Sequence, residues 1–166
     1  MKKFYPVLLL SMPLITGTLQ AQAAEMMTVT LDGSFHATLE RQIATGPEGS
    51  ALIYSVLGAS VIRDGSGNSY PVSIECLGID LLGGSEETSG RGYCLWRDAD
   101  DEHLYVKVET SGEKNRYRVT GGTGKWSGAA GEISSGFAYL PAPTSEEFLG
   151  TEKGSGKLSK PAPTGK

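Results

Sequence analysis

The feature of this sequence that most constrains its fold is an alternation of apolar and polar residues with a period of two. In the segment 29–39 the odd positions are apolar, apart from Gly33, and the even positions between them are polar. This pattern predicts a half-buried β-strand that is bent or bulged at Gly33. The same reasoning predicts six further strands, at 52–63, 70–77, 93–97, 104–110, 116–121 and 132–140. No segment of helical length shows a convincing helical period, so helices should be minor.

Short polar segments separate these strands at a spacing typical of β-hairpins. They lie at 65–68, 83–85, 98–101 and 111–113 and are rich in glycine, serine and aspartate. Strands with short connections, in a chain with 23 glycines among 166 residues, favour an antiparallel barrel or sandwich. A closed or nearly closed β-barrel is the preferred prediction because closure removes exposed strand edges. A β-sandwich is the alternative.

The segment 1–23 has the features of a cleaved signal peptide. Lys2 and Lys3 precede an uncharged apolar run at 7–19, and small residues at 21–23 suit a signal peptidase. Cleavage is expected after Ala23 or, as a close alternative, after Ala24. The apolar run is shorter than the ~20 residues of a transmembrane helix, and no cysteine stands at the cleavage point to carry a lipid. The prediction is a periplasmic or secreted protein without a membrane anchor.

The mature chain, 24–166, has a length that suits one domain. The barrel is expected to occupy 24–158. The tail 159–166 has Ala162 as its one apolar residue apart from prolines, so disorder is expected there. Whether the segment 145–158 returns as a last strand is left open by its composition.

The charge balance excludes one class of partner. Without Lys2 and Lys3 the mature chain has 13 basic and 19 acidic residues, which gives a net charge of −6 at neutral pH. It also lacks a basic stripe interleaved with aromatic residues. An acidic surface repels polyanions, so nucleic-acid binding is not expected.

Cys76 and Cys94 are predicted to form a disulfide, because an exported chain folds in an oxidising compartment. The bridge would enclose 17 residues. A loop of this size would stabilise the fold by about 3 kcal/mol in the chain-entropy model. A reactive thiol or a metal site is the less favoured alternative, since neither cysteine has a CxxC partner or a histidine at ligand spacing. His36 and His103 lie far apart in the sequence and suit strand positions.

The segment 121–132, GGTGKWSGAAGE, is the most distinctive passage of the chain. Trp126 follows Lys125 where a phosphate-binding loop needs serine or threonine, so this function is excluded. The glycines instead indicate a strand end, a tight turn around a buried Trp126 and re-entry into the next strand. The predicted structural glycines of this turn are Gly121, Gly122, Gly124, Gly128 and Gly131.

This glycine pattern resembles the signature between late strands of the allene oxide cyclase barrel-like superfamily, which includes the dirigent proteins. The segment 94–102, a cysteine followed by an acidic hairpin, is similar to small exported bacterial proteins that look related. The resemblance covers about 76–137. It implies a barrel of about eight strands with a central cavity, often assembled as a trimer. No catalytic residue of the family matches a position here, so none is transferred. The expected cavity-lining residues are Phe35, Trp96, Tyr117 and Trp126.

The acidic run Asp98, Asp100, Asp101 and Glu102 invites a calcium interpretation. It lacks the glycine and the flanking helices of an EF-hand loop, so a solvated hairpin turn is favoured. Glu86 and Glu87, in a loop rich in glycine and serine, are also expected to be solvated. Neither a metal nor a cofactor is predicted.

Two segments, 52–57 and 93–96, are apolar on both faces of the predicted strand. Their outer faces should therefore be covered. A second subunit of a dimer or trimer is slightly favoured as the cover. The alternative is that the segment 141–158 folds back over the same surface and leaves a monomer.

The sequence leaves three hypotheses on function. The first is a non-enzymatic exported barrel that binds a small apolar ligand or acts as an interaction scaffold. The second is a cavity enzyme of the cyclase or isomerase type, and the third is a secreted inhibitor or surface-assembly component. A wide cavity lined by several polar groups would favour the enzyme. A dry cavity would favour ligand binding or a scaffold, and a filled interior with a protruding loop would favour the inhibitor.

Overall fold

A computed structural model describes residues 25–83 and 88–159. The segments 1–23 and 160–166, and Glu86 and Glu87, lie outside the described residues. Eight strands account for most of the described chain, and one short 3-10 helix accompanies them. The strands are β1 (Met26–Gly46), β2 (Gly49–Asp64), β3 (Ser69–Gly83), β4 (Ser89–Asp98), β5 (His103–Ser111), β6 (Lys114–Gly122), β7 (Gly131–Leu140) and β8 (Glu147–Ser159), and the 3-10 helix is Gly124–Trp126.

Each strand pairs antiparallel with the next along the chain, and β1 also pairs with β8, which closes the sheet into a barrel. The sandwich alternative is therefore wrong, because the strands form one continuous ladder. The segment 145–158 does provide a last strand. This strand extends to Ser159, which the sequence assigns to the tail. Its hydroxyl accepts a hydrogen bond from the Ala130 N–H and donates one to the Ala130 carbonyl, each at 2.8 Å.

The predicted bulge at Gly33 is absent. The pairing of β1 with β2 is continuous through Gly33, and it shifts instead between Leu39 and Arg41 and between Ala44 and Gly46. Gly33 has a different reason. A Cβ there would lie 2.0 Å from the Ser60 Oγ, so glycine allows the two strands to approach closely.

The core is concentrated at one end of the barrel. We call this the plugged end; it carries the connections 65–68, 99–102 and 123–130. The opposite end, with the connections 47–48, 112–113 and 141–146, is called the open end. The largest fully buried side chains are Trp96, Trp126, Leu31, Ile62, Leu104, Ile133, Leu158, Val29 and Val106. Because they fill the interior of the plugged end, the barrel has a closed floor.

The predicted disulfide is present. Cys76 and Cys94 lie directly opposite each other on β3 and β4, with their Cα atoms 4.0 Å apart, and both side chains are buried. The alternation places them inward, as it places Ile74 and Trp96 on the same two strands. The bridge thus joins β3 to β4 on the inner face of the barrel, where the plugged end meets the open end.

The outer wall retains exposed apolar side chains on neighbouring strands. Leu57 on β2, Leu77 on β3, Tyr93 on β4 and Tyr105 on β5 are 45% to 69% exposed. The segment 141–158 does not cover them, so this alternative is wrong: most of it forms β8, which lies between β1 and β7. In the described part of the chain, no helix has the length and hydrophobicity needed to span a membrane.

Candidate functional site

The open end contains a cavity of about 380 Å³, enclosed by the inward faces of β1 to β3 and β5 to β8. Its wall is largely apolar, and a smaller set of polar side chains is grouped on it. Apolar side chains on the wall include Leu39, Leu52, Val56, Ile74 and Val108. Polar side chains on the wall include those of Tyr54, Asp80, Thr110, Asn115, Tyr117 and Glu152.

Inward-facing glycines make room for the larger groups of the wall. A Cβ at Gly78 would lie 2.6 Å from the Tyr54 ring and its hydroxyl, and one at Gly150 would lie 2.4 Å from the Phe35 ring. At Gly90 a Cβ would lie 1.8 Å from the Asp80 carboxylate. Real side chains do not approach so closely, so these glycines are required for the observed positions of Tyr54, Phe35 and Asp80.

Four aromatic rings form a cluster on the side of the cavity built by β1, β7 and β8. Phe35 meets Phe137 and Tyr139 edge to face, with ring centroids 6.0 and 6.3 Å apart. Tyr139 also contacts Phe137 at 5.4 Å and Phe148 at 6.1 Å. All four rings border the cavity, and we call them the aromatic cluster.

The first carboxyl group of the cavity is that of Asp80 on β3. The Tyr54 hydroxyl donates a hydrogen bond of 2.9 Å to Asp80 Oδ1. Burial raises the pKa of Asp80, and the hydrogen bond from Tyr54 only partly offsets this. Burial and the Asp80 charge together raise the pKa of Tyr54, so the phenol keeps its proton and remains the donor.

The second carboxyl group, Glu152 on β8, is only 5% exposed. The Tyr117 hydroxyl lies 2.9 and 3.0 Å from its two oxygens, the Asn115 amide donates at 3.0 Å, and the Ser135 hydroxyl also donates. The Thr110 hydroxyl fixes the Asn115 amide by donating to its oxygen at 2.8 Å. Two hydroxyl groups and one amide therefore hold the Glu152 carboxyl group in place.

The lining carries acidic groups without basic ones. Asp80, Glu113 and Glu152 border the cavity, whereas none of its lining residues among those the structure describes is lysine, arginine or histidine. Two of these groups influence the same side chain. Burial raises the pKa of Tyr139, and the charges of Asp80 and Glu113 raise it further. The described wall of the cavity is therefore largely apolar, with acidic groups and no basic ones.

The four residues expected to line a cavity separate into two pairs. Phe35 and Tyr117 lie on its wall. Trp96 and Trp126 do not, because both belong to the core of the plugged end. Trp96 packs edge to face against Tyr117 with ring centroids 5.1 Å apart, so it lies beneath the floor. Its Nε1 donates to no group in the described part of the chain.

The acidic hairpin at the plugged end is solvated at Asp100 and Asp101, as expected, but not at Asp98. The Asp98 side chain is 4% exposed and accepts hydrogen bonds from Trp126 Nε1 at 2.7 Å and Lys125 Nζ at 2.8 Å. Burial alone would raise the pKa of Asp98, but these two donors, together with the backbone N–H groups of Asp100 and Glu102, lower it. Asp100 and Glu102 also pair with Lys125. The carboxylates of Asp98, Asp100 and Glu102 lie close enough to hold a metal ion, and the Lys125 ammonium group already lies among them.

The glycine-rich turn closes over this ion-pair network. Gly124 and Gly128 have φ angles of 52° and 71°, in the left-handed region that favours glycine. A Cβ at Gly124 would also collide with the Glu102 carboxylate. Trp126 is 1% exposed and packs against Tyr70, with ring centroids 5.4 Å apart. Of the other three predicted glycines, Gly121 and Gly122 end β6 and Gly131 begins β7.

Sequence reasoning missed Tyr54, Asp80 and Glu152, the main polar residues of the cavity. Tyr54 and Asp80 lie on the inward face of their strands. Tyr54 is an even number of positions from the buried Ile62, and Asp80 from the buried Cys76. A polar residue in an inward phase was therefore a usable signal for these two. Glu152 had no such signal, because β8 alternates glycine with lysine, serine and threonine.

The sequence matches no protein-family model, and it matches none of the curated proteins compared with it. Among solved structures, the fold is similar to two pterocarpan synthase dirigent proteins, GePTS1 and PsPTS1. The first is 15% identical, with 87% of this chain and 92% of that chain covered and a TM-score of 0.48. The second is 12% identical, with 80% and 95% covered and a TM-score of 0.47. The neighbours are dirigent proteins, the group that the glycine motif resembles, and the likeness concerns the fold alone.

Proposed function

We propose that this protein is a small-molecule-binding barrel that takes a compact, mainly apolar ligand through its open end. The observation that carries the proposal is the cavity of about 380 Å³, which lies within the range of ligand sites and has an apolar wall with a few grouped polar side chains. The plugged end gives this cavity a rigid floor. A filled interior, which the inhibitor hypothesis requires, does not match the open end.

A neutral apolar fluorophore, N-phenyl-1-naphthylamine, tests the proposal. Its fluorescence should rise and saturate with the mature protein. Val56→Trp places a large ring on the cavity wall and should weaken binding at least tenfold. Leu57→Trp, on the next residue and facing outward, is the matched control and should bind like the unsubstituted protein. Equal binding by both variants, with unchanged β-sheet circular dichroism, would contradict a ligand site in the cavity.

A second candidate, a cavity enzyme of the cyclase or isomerase type, is favoured by the grouped polar side chains. Asp80, whose pKa is raised by burial, borders the cavity and could exchange a proton with a bound molecule. Small molecules extracted from the purified protein after incubation in deuterated water would be analysed by mass spectrometry. Deuterium uptake that requires Asp80, and persists in Glu75→Gln on the outer face of β3, would support the enzyme.

We further propose that the chain is exported and that its signal peptide is removed. A disulfide between β3 and β4 supports a compartment outside the reducing cytosol, and the features of the segment 1–23 supply the export signal. N-terminal sequencing of the protein recovered from the periplasm or medium should begin at Ala24 or Glu25. Recovery only from the cytosol, starting at Met1, would contradict export.

A further inference from the structure

We propose that the ligand of the cavity is an organic cation, an ammonium group attached to an apolar body. This inference rests on the proposed function and narrows its ligand class. The carrying observation is that Glu152 is a buried carboxylate whose described partners are hydroxyl and amide donors, with no cationic partner among the described residues. Hydrogen bonds satisfy its oxygens, but no lysine, arginine or histidine of the described residues forms an ion pair with it.

The second carboxyl group strengthens the same field. Asp80 receives one hydrogen bond, from Tyr54, and no described lysine, arginine or histidine pairs with it. The contrast with Asp98 is informative, because that buried carboxylate is directly paired with Lys125. Among the described residues, Asp98 at the plugged end is thus paired with a cation, whereas Asp80 and Glu152 in the cavity are not. A positively charged ligand would supply the missing partner.

The aromatic cluster suits the same ligand. Ring faces carry partial negative charge and attract a cation lying within about 6 Å of the ring centre. Phe35, Phe137, Tyr139 and Phe148 border the cavity together with the carboxyl groups, so rings and carboxylates act on one bound group. An anionic ligand would meet repulsion from the carboxyl groups, and a neutral one would gain only from the apolar wall.

Three naphthalene compounds of matched size test this inference on the mature protein: 1-naphthylmethylamine, which is a cation at pH 7, the neutral 1-naphthalenemethanol, and 1-naphthoate. Each competes with N-phenyl-1-naphthylamine for the cavity. The ammonium compound should bind at least tenfold more tightly than the alcohol, and the carboxylate should bind most weakly. Equal or weaker binding of the ammonium compound would overturn the inference. The proposed function would survive that result if the alcohol binds, and would fail with it if none of the three binds.

Variants then identify the groups responsible. Glu152→Gln keeps the shape of the side chain and removes its charge, and it should reduce the preference for ammonium over alcohol at least fivefold. Asp80→Asn should reduce it to a smaller extent, whereas Glu75→Gln, an exposed carboxylate on the outer face of β3, should leave it unchanged. An unchanged preference in both cavity variants would overturn the assignment. The comparison of the three compounds on the unsubstituted protein does not depend on the folding of any variant.

Discussion

The two ends of the barrel use the same inward alternation and fill it in opposite ways. At the plugged end, inward positions carry large residues such as Trp96, Leu104 and Ile133, which are fully buried. At the open end, Gly78, Gly90 and Gly150 take inward positions and leave space. Buried charge differs as well, since Asp98 has a lysine partner and Glu152 has none among the described residues. The close-packed core and the cavity therefore occupy separate halves of one sheet.

The largest expected effect comes from emptying the plugged end. Trp126→Ala should lower the free energy of unfolding by about 3–5 kcal/mol, because it removes a fully buried ring and leaves a cavity. It also removes one donor to Asp98. Phe137→Ala, at the open end, is the matched aromatic truncation and should cost clearly less, since its ring is only half-buried and borders existing space. Urea unfolding of both variants measures the difference, and equal losses would remove the distinction between the two ends.

The disulfide lies between the two halves, and its removal should have the next largest effect. Replacing both Cys76 and Cys94 by alanine should lower the free energy of unfolding by about 3 kcal/mol, mainly because the unfolded chain gains freedom. Urea unfolding in the presence and absence of a reductant provides the measurement. The reductant should destabilise the unsubstituted protein by a similar amount and leave the double variant unaffected. A loss below about 1 kcal/mol would show that the ladder between β3 and β4 is sufficient without the bridge.

The features that sequence predicted are those that depend on local order. Alternation within a strand predicted most strands. The presence of two cysteines in a chain with an export signal predicted the disulfide. The cavity depends instead on which inward residues meet across strands. Gly150 lies opposite Phe35 because β8 pairs with β1 across the closure of the barrel. The register of that pairing is not readable from β8, whose inward positions are mostly glycine and so give no apolar alternation.

The acidic hairpin shows the same limit at the plugged end. Asp98 looked like a solvated turn residue because its neighbours in sequence are acidic and polar. Its partners Lys125 and Trp126 belong to another connection, and Trp126 lies 28 positions along the chain. Local sequence therefore identified both turns but not their contact, and only the closed barrel places the glycine-rich turn over the hairpin.

A smaller effect is expected from removing the cation at the plugged end. Lys125→Met keeps much of the side-chain volume but leaves Asp98 buried beside Trp126 without its charge partner, which should cost about 1–3 kcal/mol at pH 7. Because the native state lowers the pKa of Asp98, its contribution to stability is present above the unfolded pKa and is lost as pH falls through the folded value. The variant should therefore lose less stability than the unsubstituted protein as the pH falls below about 4, as measured by thermal unfolding. Lys153→Met, on the exposed outer face of β8, is the control and should change neither quantity.

The smallest effect on stability is expected from a substitution of Leu77, which lies on the outer wall and not at either end of the barrel. Its side chain, on β3, is 65% exposed. It lies opposite Tyr93 on β4, which is 69% exposed. Because β8 is fixed between β1 and β7, we expect a second copy of the chain to cover this surface in a dimer or trimer, at about 25 cal/mol per Å² of buried apolar area. Light scattering coupled to gel filtration should give a mass of two or three mature chains, and Leu77→Glu should reduce it to one while changing the unfolding free energy of the monomer by less than about 0.5 kcal/mol. Ser73→Glu, also outward on β3, should leave the mass unchanged. A mass of one chain for the unsubstituted protein at micromolar concentration would contradict the covered wall and leave Leu77 as an exposed residue of a monomer.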